Sequence, residues 1–336
     1  MQVSICIVSY NCREELERCL ASIREHGASV EHEVIVVDNA SADGSAEVAQ
    51  AACPSARVVR NSTNRGFAGG VNQAVGLARG EVILLLNPDA ELTRGVLGRL
   101  WKFLREHPWV GACGPRLVDE EGRLQRSCRR FPSLWTVACE ALGLSQLFPR
   151  SRLFGGYELG WWSYDETARV DWLSGAALAF PRRAWDLVGL FDEGFFIYAE
   201  ELDWLRRLRS KGLECWFVAD ATVVHREGSS WQGLSLQRAL WSHWSLWRYF
   251  AKHHGRLDAF FARLLTAVGA AERAFVWSLA ALVPSWRPKA LERVFVHWQV
   301  VKLAFSSAEP ARPGSAAPAA RSRTLSVAAG SSQSGE

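Results

Sequence analysis

Four apolar runs within the first ninety residues each give way to a polar cluster, and this repeat narrows what the chain can fold into. Val3-Ser4-Ile5-Cys6-Ile7-Val8 is followed by Ser9-Tyr10-Asn11. Glu33 to Val37 is followed by Asp38-Asn39-Ala40-Ser41-Ala42-Asp43. Arg57-Val58-Val59 leads to Asn64-Arg65-Gly66-Phe67-Ala68-Gly69-Gly70, and Glu81 to Leu86 stops at Asn87-Pro88-Asp89. Apolar runs of this length read as buried strands. Between them lie helical signals: Leu16, Cys19, Leu20 and Ile23 at helical spacing, then Gly44–Ala52, Gly69–Ala78 and, after the fourth run, Leu92–Glu106. Strands alternating with helices predict βαβ units and a mostly parallel α/β sheet, covered on both faces.

Ligands of open α/β sheets bind outside the carboxyl ends of the strands. The four polar clusters are therefore expected to meet at one edge of the sheet, where Asp89 faces a shared cleft. Taken singly, Asp, Asn and Gly after a strand are ordinary turn and N-cap residues. Two features exceed capping: the isolated acid Asp89, and Arg65 inside the glycine-rich segment.

The chain has 336 residues, 49% of them hydrophobic and 22% charged, a globular composition long enough for one large domain or two smaller ones. Its net charge of +4 is too mild to argue for nucleic acid as a partner, but it is uneven. Residues 248–302 hold nine Lys/Arg and three Asp/Glu, a net +6, which leaves −2 for the rest. The eight cysteines form no C-x-x-C pair, and Cys6 and Cys113 sit in strand-like runs as small core residues. An even count admits disulfides, yet a chain of this length needs none, and reduced cytosolic thiols are expected. No signal peptide is legible. The longest apolar stretch near the C-terminus, Ala274 to Trp286, has 13 residues, too few to cross a bilayer.

From Trp231 the character changes. Trp241, Trp244 and Trp247 recur every three residues, followed by Arg248, Lys252, His253 and His254. Phe260, Phe261, Leu264, Leu265, Val268, Val276, Leu279 and Val283 keep a helical period up to Pro284, and a second helix is predicted from Lys289 to Phe305. Two readings stand. The tryptophans are either core of a helical appendage or, with the net +6, the headgroup-level belt of an interfacial membrane anchor. The organisation expected is a domain over 1–230, a helical, Trp-rich basic extension over 231–305, and an Ala/Ser/Gly/Pro-rich disordered tail over 306–336.

The segments VSICIVSYN, VVDNASADGS, NRGFAGGVNQA, LLLNPDAE, SGAALAFPRRAWDLVGLFDEGFFIYAEELDWLRRLRSKG and VVHREGSS, in this order from about Val3 to about Ser230, together resemble the family 2 inverting glycosyltransferases of GT-A fold. The nearest likeness is to the rhamnosyltransferase-like branch. Each motif alone is weak; six in series are specific. The resemblance implies roles. Ser9 and Tyr10 would line the base of a nucleotide-sugar, and Asp38 and Asn39 would bond the base and ribose. Asn64, Arg65 and Gly66 would flank the nucleotide and sugar. Asn87 and Asp89 occupy the place of the family's Asp-x-Asp, with Asp89 the matching carboxylate. His225 resembles the histidine that completes the metal shell. Glu200-Glu201 matches the pair whose second member is the catalytic base, here Glu201 in place of the commoner Asp. Gly175, Glu200 and Asp203 would lie around the acceptor.

The chemistry is consistent with these roles. A nucleoside diphosphate leaving group concentrates negative charge, which a hard divalent cation (Mn²⁺ or Mg²⁺) stabilises through oxygen ligands. Mn²⁺ also tolerates an imidazole. A carboxylate can take the proton of the attacking hydroxyl, and direct displacement needs no second carboxylate as nucleophile. Plainer readings accompany each residue: His225 as a structural histidine, and Glu200, Glu201 and Asp203 as first-turn acids, with Asp203 paired to Arg207. The activity implied is transfer of a sugar, L-rhamnose being one candidate, from a dTDP- or UDP-sugar to a glycan or polyprenyl-linked acceptor. It would take place at the cytoplasmic face of a membrane, in cell-surface polysaccharide synthesis. The rival is a non-catalytic, nucleotide-sugar-binding scaffold subunit of a membrane assembly. A dinucleotide dehydrogenase is excluded, since no G-x-G-x-x-G follows the first strand.

Overall fold

A ten-stranded sheet forms the frame on which the polar clusters converge. The computed structural model describes residues 1–226 and 235–312. In chain order the elements are β1 (Val3–Ser9), α1 (Arg13–His26), β2 (His32–Asp38), α2 (Ser45–Ala52), β3 (Arg57–Arg60), α3 (Gly66–Leu77), β4 (Val82–Leu86), β5 (Ala90–Leu92), α4 (Val96–Glu106) and β6 (Val110–Val118). The short pieces β7 (Leu124–Gln125), β8 (Cys128–Arg129), α5 (Leu134–Ala141), α6 (Leu144–Leu147), β9 (Ala168–Val170) and β10 (Trp172–Leu173) follow. Then come β11 (Ala177–Pro181), α7 (Arg182–Val188), α8 (Glu200–Ser210), β12 (Glu214–His225), α9 (Ser235–His253), α10 (Arg256–Ala280) and α11 (Arg287–Ala304).

The main sheet runs β3-β2-β1-β4-β11-β6-β12-β5. The ladders among β1 to β4 and between β6 and β12 are parallel, so most paired positions are parallel; β11 and β5 run antiparallel to their neighbours. β1, β4 and β11 are buried along their whole length, as near-continuous apolar strands between two helical layers should be. One layer of core holds α1 and α4; the other holds α3, α7, α8 and α9.

Two boundaries differ from the sequence reading. α3 starts at Gly66, three residues before the expected Gly69. Gly66 has φ of 76°, and a Cβ there would meet the carbonyl oxygen of Phe196, so only glycine allows this entry. Leu92 belongs not to the helix expected over Leu92–Glu106 but to β5, which pairs with Val223–His225 of β12. That pairing is non-local, and apolar periodicity does not register it.

Of the two readings of the extension's tryptophans, Trp241 and Trp247 fit the core one. Trp241 and Trp247 are fully buried, in contact with the rest of the protein. The Trp241 ring lies 4.9 Å from that of Phe196, and the Trp247 indole N–H donates to Thr266 Oγ1 at 3.2 Å. α9 thus belongs to the same core as α8, and the surface-seeking apolar residues lie farther on, in α10 and α11. The cysteines are all free thiols, and all but Cys53 are buried. The VVHREGSS motif beyond Arg226, the boundary expected at 230/231 and residues 313–336 of the tail expected over 306–336 fall outside the described residues.

Candidate active site

A cavity of about 600 Å³ opens where β1, β2, β4 and β12 end, walled on the other side by the start of α8 and by α9. Ser9, Tyr10, Asn39, Asn64, Gly66, Asn87, Asp89, Gly175, Glu200, Glu201 and His225 all line it. Residues up to 216 positions apart in sequence (His225 − Ser9 = 216) therefore meet in one place, because parallel strands bring their carboxyl ends to the same edge.

Three expected site residues do not line the cavity. Asp38 lies beneath it, 3% exposed, accepting from Ser9 Oγ at 3.1 Å and from the Ser41 N–H at 3.0 Å, so it braces the loop that carries Asn39. Arg65 is exposed and faces Glu193 at 3.5 Å. Asp203 is fully buried, held by Arg207 Nε at 2.9 Å, Lys252 Nζ at 2.7 Å and His253 Nε2 at 2.7 Å. Burial alone would raise the Asp203 pKa; hydrogen bonds from His253 and Lys252 and the charge of Arg207 outweigh it and hold the carboxyl at about 2. The plainer reading of Asp203, an i,i+4 partner of Arg207, is the one its geometry fits, with two further partners from α9.

Asn39 and Asn64 are themselves committed to the frame. Asn39 Nδ2 donates to the Gly66 carbonyl at 2.9 Å, Asn61 Nδ2 donates to Asn39 Oδ1 at 2.9 Å, and Asn64 Oδ1 accepts from the Gly66 N–H at 2.9 Å. These bonds pin the start of α3, and the Gly66 and Phe67 that open it line the cavity.

On the β4 side, Asp89 and His225 are 7% and 8% exposed, with His225 Nε2 at 3.4 Å from Asp89 Oδ1. The pairing of His225 with Ala90 sets this contact. Gln125 orients the ring from behind: its Oε1 lies 2.8 Å from His225 Nδ1 and its Nε2 donates to the His225 carbonyl at 2.7 Å. Gln125 Oε1 can accept from Nδ1, which leaves Nε2 as the ring atom facing Asp89. One carboxylate and one imidazole, with no group of three or more His, Cys, Asp or Glu among the described residues, form too small a set for a closed structural metal site. They suit a hard divalent cation that keeps waters and takes further oxygens from a phosphorylated substrate.

On the α8 side the backbone turns sharply. Tyr198 and Ala199 have φ of 66° and 63°, left-handed values that cost a non-glycine residue about 1–3 kcal/mol each. The turn is held by the Phe67 N–H donating to the Phe196 carbonyl at 2.9 Å and by Ser245 Oγ of α9 donating to the Ile197 carbonyl at 2.7 Å. It delivers Glu200 and Glu201 in the first turn of α8. Burial pushes both carboxyls above the usual range, and the charge of the neighbouring acid disfavours ionising both. Glu201 Oε1 accepts from the Gly175 N–H at 3.3 Å, and with the Arg129 charge this favours its ionised form. Oε2 of each acid is buried with no hydrogen-bond partner among the described residues. Of the two, Glu201 is thus the one set to ionise first and able to take a proton from a bound hydroxyl.

Several cavity residues escaped the sequence reading. Gln125 is 100 positions from His225, and nothing local marks it. Arg126, Arg129, Tyr157 and Trp172 come from short strands and loops without a motif. Arg238, Ser242, His243 and Leu246 project from one face of α9. Their i, i+4, i+5, i+8 spacing was a legible signal, masked by assigning that helix to a separate extension. Burial, with the charges of Arg273 and His297, lowers the His243 pKa to about 4 and keeps its ring neutral.

Comparison with known proteins bears on this site. The sequence model of the family described as Glycosyl transferase family 2 matches residues 4–157. An N-acetylglucosaminyl-diphospho-decaprenol L-rhamnosyltransferase of Mycobacterium tuberculosis is 31% identical over 237 residues, which cover 66% of this chain and 75% of that protein. A hexosyltransferase of low-salt glycan biosynthesis from Haloferax volcanii is 23% identical over 230 residues, 67% of each chain. Among solved structures, a mannosyltransferase from Pyrobaculum calidifontis in complex with GDP-Man and Mn²⁺ superposes with a TM-score of 0.55 at 18% identity, covering 90% of this chain and 85% of that one. The fold is the GT-A arrangement with a helical C-terminal region.

Proposed function

We propose, from the premise that the chain belongs to the family 2 glycosyltransferases and catalyses glycosyl transfer, that it moves L-rhamnose with inversion from a dTDP- or UDP-sugar. The acceptor is a sugar carried on a polyprenyl diphosphate, in cell-surface polysaccharide synthesis. The observation that carries this reading is the presence, in one cavity, of the Asp89–His225 pair and of Glu201 with its raised pKa. The relative that acts on a diphospho-decaprenol-linked sugar supports the acceptor class.

In the proposed mechanism the nucleoside lies along Ser9, Tyr10 and Asn39, over the loop braced by Asp38. The sugar diphosphate lies against Asn64, Gly66 and Asn87. Asp89 and His225 would hold a divalent cation, Mn²⁺ or Mg²⁺, which when bound offsets the negative charge gathering on the diphosphate. The acceptor hydroxyl attacks the anomeric carbon, its proton passes to a carboxylate oxygen of Glu201, and the bond from the anomeric carbon to the diphosphate oxygen breaks with its electron pair. Glu200 stays protonated beside it and adds no second charge. The transfer assay is direct. The full chain with dTDP-rhamnose, Mn²⁺ and N-acetylglucosaminyl-diphosphoryl-decyl should give a rhamnosylated product of inverted anomeric configuration. A product of retained configuration, or activity indifferent to chelation, would overturn the corresponding part of the reading.

A lipid-linked acceptor requires a membrane surface, and we assign that contact to α10 and α11. α10 buries small residues (Ala262, Gly269, Ala270 and Ala274) and turns Phe260, Val268, Phe275 and Leu279 outward. Leu282 and Trp286, at the tip between the helices, are 79% and 59% exposed, and the exposed Arg287, Lys289 and Arg293 follow. Among the described residues no helix is long and apolar enough to cross a membrane. Apolar side chains beside basic ones suit the cytoplasmic leaflet, with its anionic lipids. The triple variant Phe275→Ser/Leu282→Ser/Trp286→Ser should lose affinity for phosphatidylserine-containing vesicles by about 100-fold or more, since each ring or branch is worth roughly 1.5–3 kcal/mol when buried. Its melting temperature should hold, because the side chains are exposed. Unchanged flotation, or a dimer that the triple variant breaks, would overturn the lipid contact.

A further inference from the structure

Two arginines on the cavity wall are left over by the mechanism. Residues 125–129 run from Gln125, which orients His225, through Arg126 and Ser127 to Arg129, whose charge acts on Glu201. The wall is fixed: Trp172 pairs with Arg129 in the two-stranded sheet, the Ser174 N–H donates to the Ser127 carbonyl at 2.9 Å, and the Trp172 indole N–H donates to the Arg130 carbonyl at 2.9 Å. The Arg129 guanidinium lies 5.3 Å from the centre of the Trp172 ring. Arginines nearby are matched to acids, as Arg169 is to Glu214 and Arg209 to Asp171. Among the described residues neither Arg126 nor Arg129 joins an ion pair, although the exposed Glu158 lines the same cavity.

We infer that Arg126 and Arg129 form an anion subsite for the diphosphate of the acceptor. The argument rests on the transferase reading above and on the stereochemistry of displacement. In an inverting transfer the leaving diphosphate departs on the side of the anomeric carbon away from the attacking hydroxyl, and therefore away from the base. Arg129 shares the cavity wall with Glu201, and its pairing partner Trp172 lies three residues before Gly175, which bonds Glu201, so it is on the attacking side, where the donor's phosphates do not come. Its anion must arrive with the acceptor. A guanidinium fork matches phosphate oxygens two at a time, and two such forks in sequence match a diphosphate better than a single phosphate or a carboxylate. Trp172 and Tyr157, with ring centres 6.5 Å apart, supply the apolar surface on which the sugar ring between diphosphate and hydroxyl can lie. Arg129 also keeps Glu201 ionisable, so bound acceptor and active base draw on one charge.

The test uses the full chain and two probes, N-acetylglucosaminyl-diphosphoryl-decyl and the neutral decyl N-acetylglucosaminide. Binding is read by calorimetry without donor, and KM for donor and acceptor by transfer. Wild type should bind the charged probe about 10- to 100-fold tighter than the neutral one, the range expected of hydrogen bonds between charged groups. Arg129→Gln should remove most of that preference and Arg126→Gln/Arg129→Gln all of it, each with unchanged affinity for the neutral probe, which shows that the variant folds; Arg129→Lys should retain part. The rise belongs in the acceptor KM. Equal binding of the two probes by wild type overturns the subsite. So does a rise in donor KM alone, which would give the pair to the donor's diphosphate, or a shift of the pH–rate profile with acceptor KM unchanged, which would leave Arg129 only tuning Glu201. Charge-dependent binding with no transfer to either probe would keep the subsite and sink the transferase reading.

Discussion

Glu201→Gln should fold and bind nucleotide-sugar as wild type does while losing about 10²- to 10⁴-fold in transfer, the range a general base contributes. Gln keeps the shape and still accepts from the Gly175 N–H, but it cannot take a proton. Glu201→Asp should retain part of the rate, because the base survives at a changed distance. The contrast that makes this decisive is Glu200→Gln. Burial raises both carboxyls, but only Glu201 accepts from the Gly175 N–H, so the one charge of the pair is assigned to Glu201, and Gln at 200 replaces one neutral group by another. Its transfer rate should stay within about tenfold of wild type. The two acids also predict opposite responses to pH. The base works only when ionised, so the wild-type rate climbs as pH rises through the raised Glu201 value. Stability runs the other way. A carboxyl whose folded pKa exceeds its unfolded one binds more protons when folded, so its contribution is full below the unfolded value near 4.5 and is lost as pH rises through the folded one. Glu200→Gln should therefore melt increasingly above wild type as pH rises past that value. Should Glu200→Gln abolish transfer and Glu201→Gln spare it, the base is the first acid of the pair.

Asp89→Ala should cost about 10³-fold or more in transfer and abolish the Mn²⁺ dependence of nucleotide affinity. Cation stabilisation of a developing charge is worth several kcal/mol, and 1.36 kcal/mol is tenfold. Titrations of nucleotide with and without Mn²⁺ separate this from a folding defect. Wild type should show two affinities and the variant only the weaker. If the variant keeps both, Asp89 is a turn residue and the cation, if any, sits elsewhere. His225→Ala should give a milder version of the same result, about 10- to 100-fold, since one ligand of a partly hydrated ion is lost.

The placement of α9 changes how these variants should be made. Its Ser245 holds the strained turn before Glu200, its Lys252 and His253 hold Asp203 of α8, and its Arg238, Ser242 and His243 wall the cavity. A chain cut after residue 230 would expose Phe196 and Phe250's former neighbours and release the turn that aims Glu201, so the full chain is the proper object of assay.

The sequence by itself determined the first four strands, their order of appearance and the cluster after each one. Uninterrupted apolar runs buried on both faces leave few alternatives to strand, and parallel strands must bring their carboxyl ends together. Ser9, Asn39, Asn64, Asn87 and Asp89 are thereby assigned to one cleft, and the motif series adds Glu201 and His225. Tertiary structure decided the rest, wherever a role depends on partners remote in sequence. The β5–β12 ladder, closed by hydrogen bonds that no periodicity announces, sets His225 beside Asp89. Gln125 acquires its role only through that ladder. Asp203 and Glu201 lie two residues apart in the same helical turn, and composition and spacing alone leave either as a first-turn acid. One faces Arg207, Lys252 and His253 and is held ionised; the other faces a buried cavity and is held ready for a proton. Their burial and their partners, neither of which is a property of the local chain, make that difference.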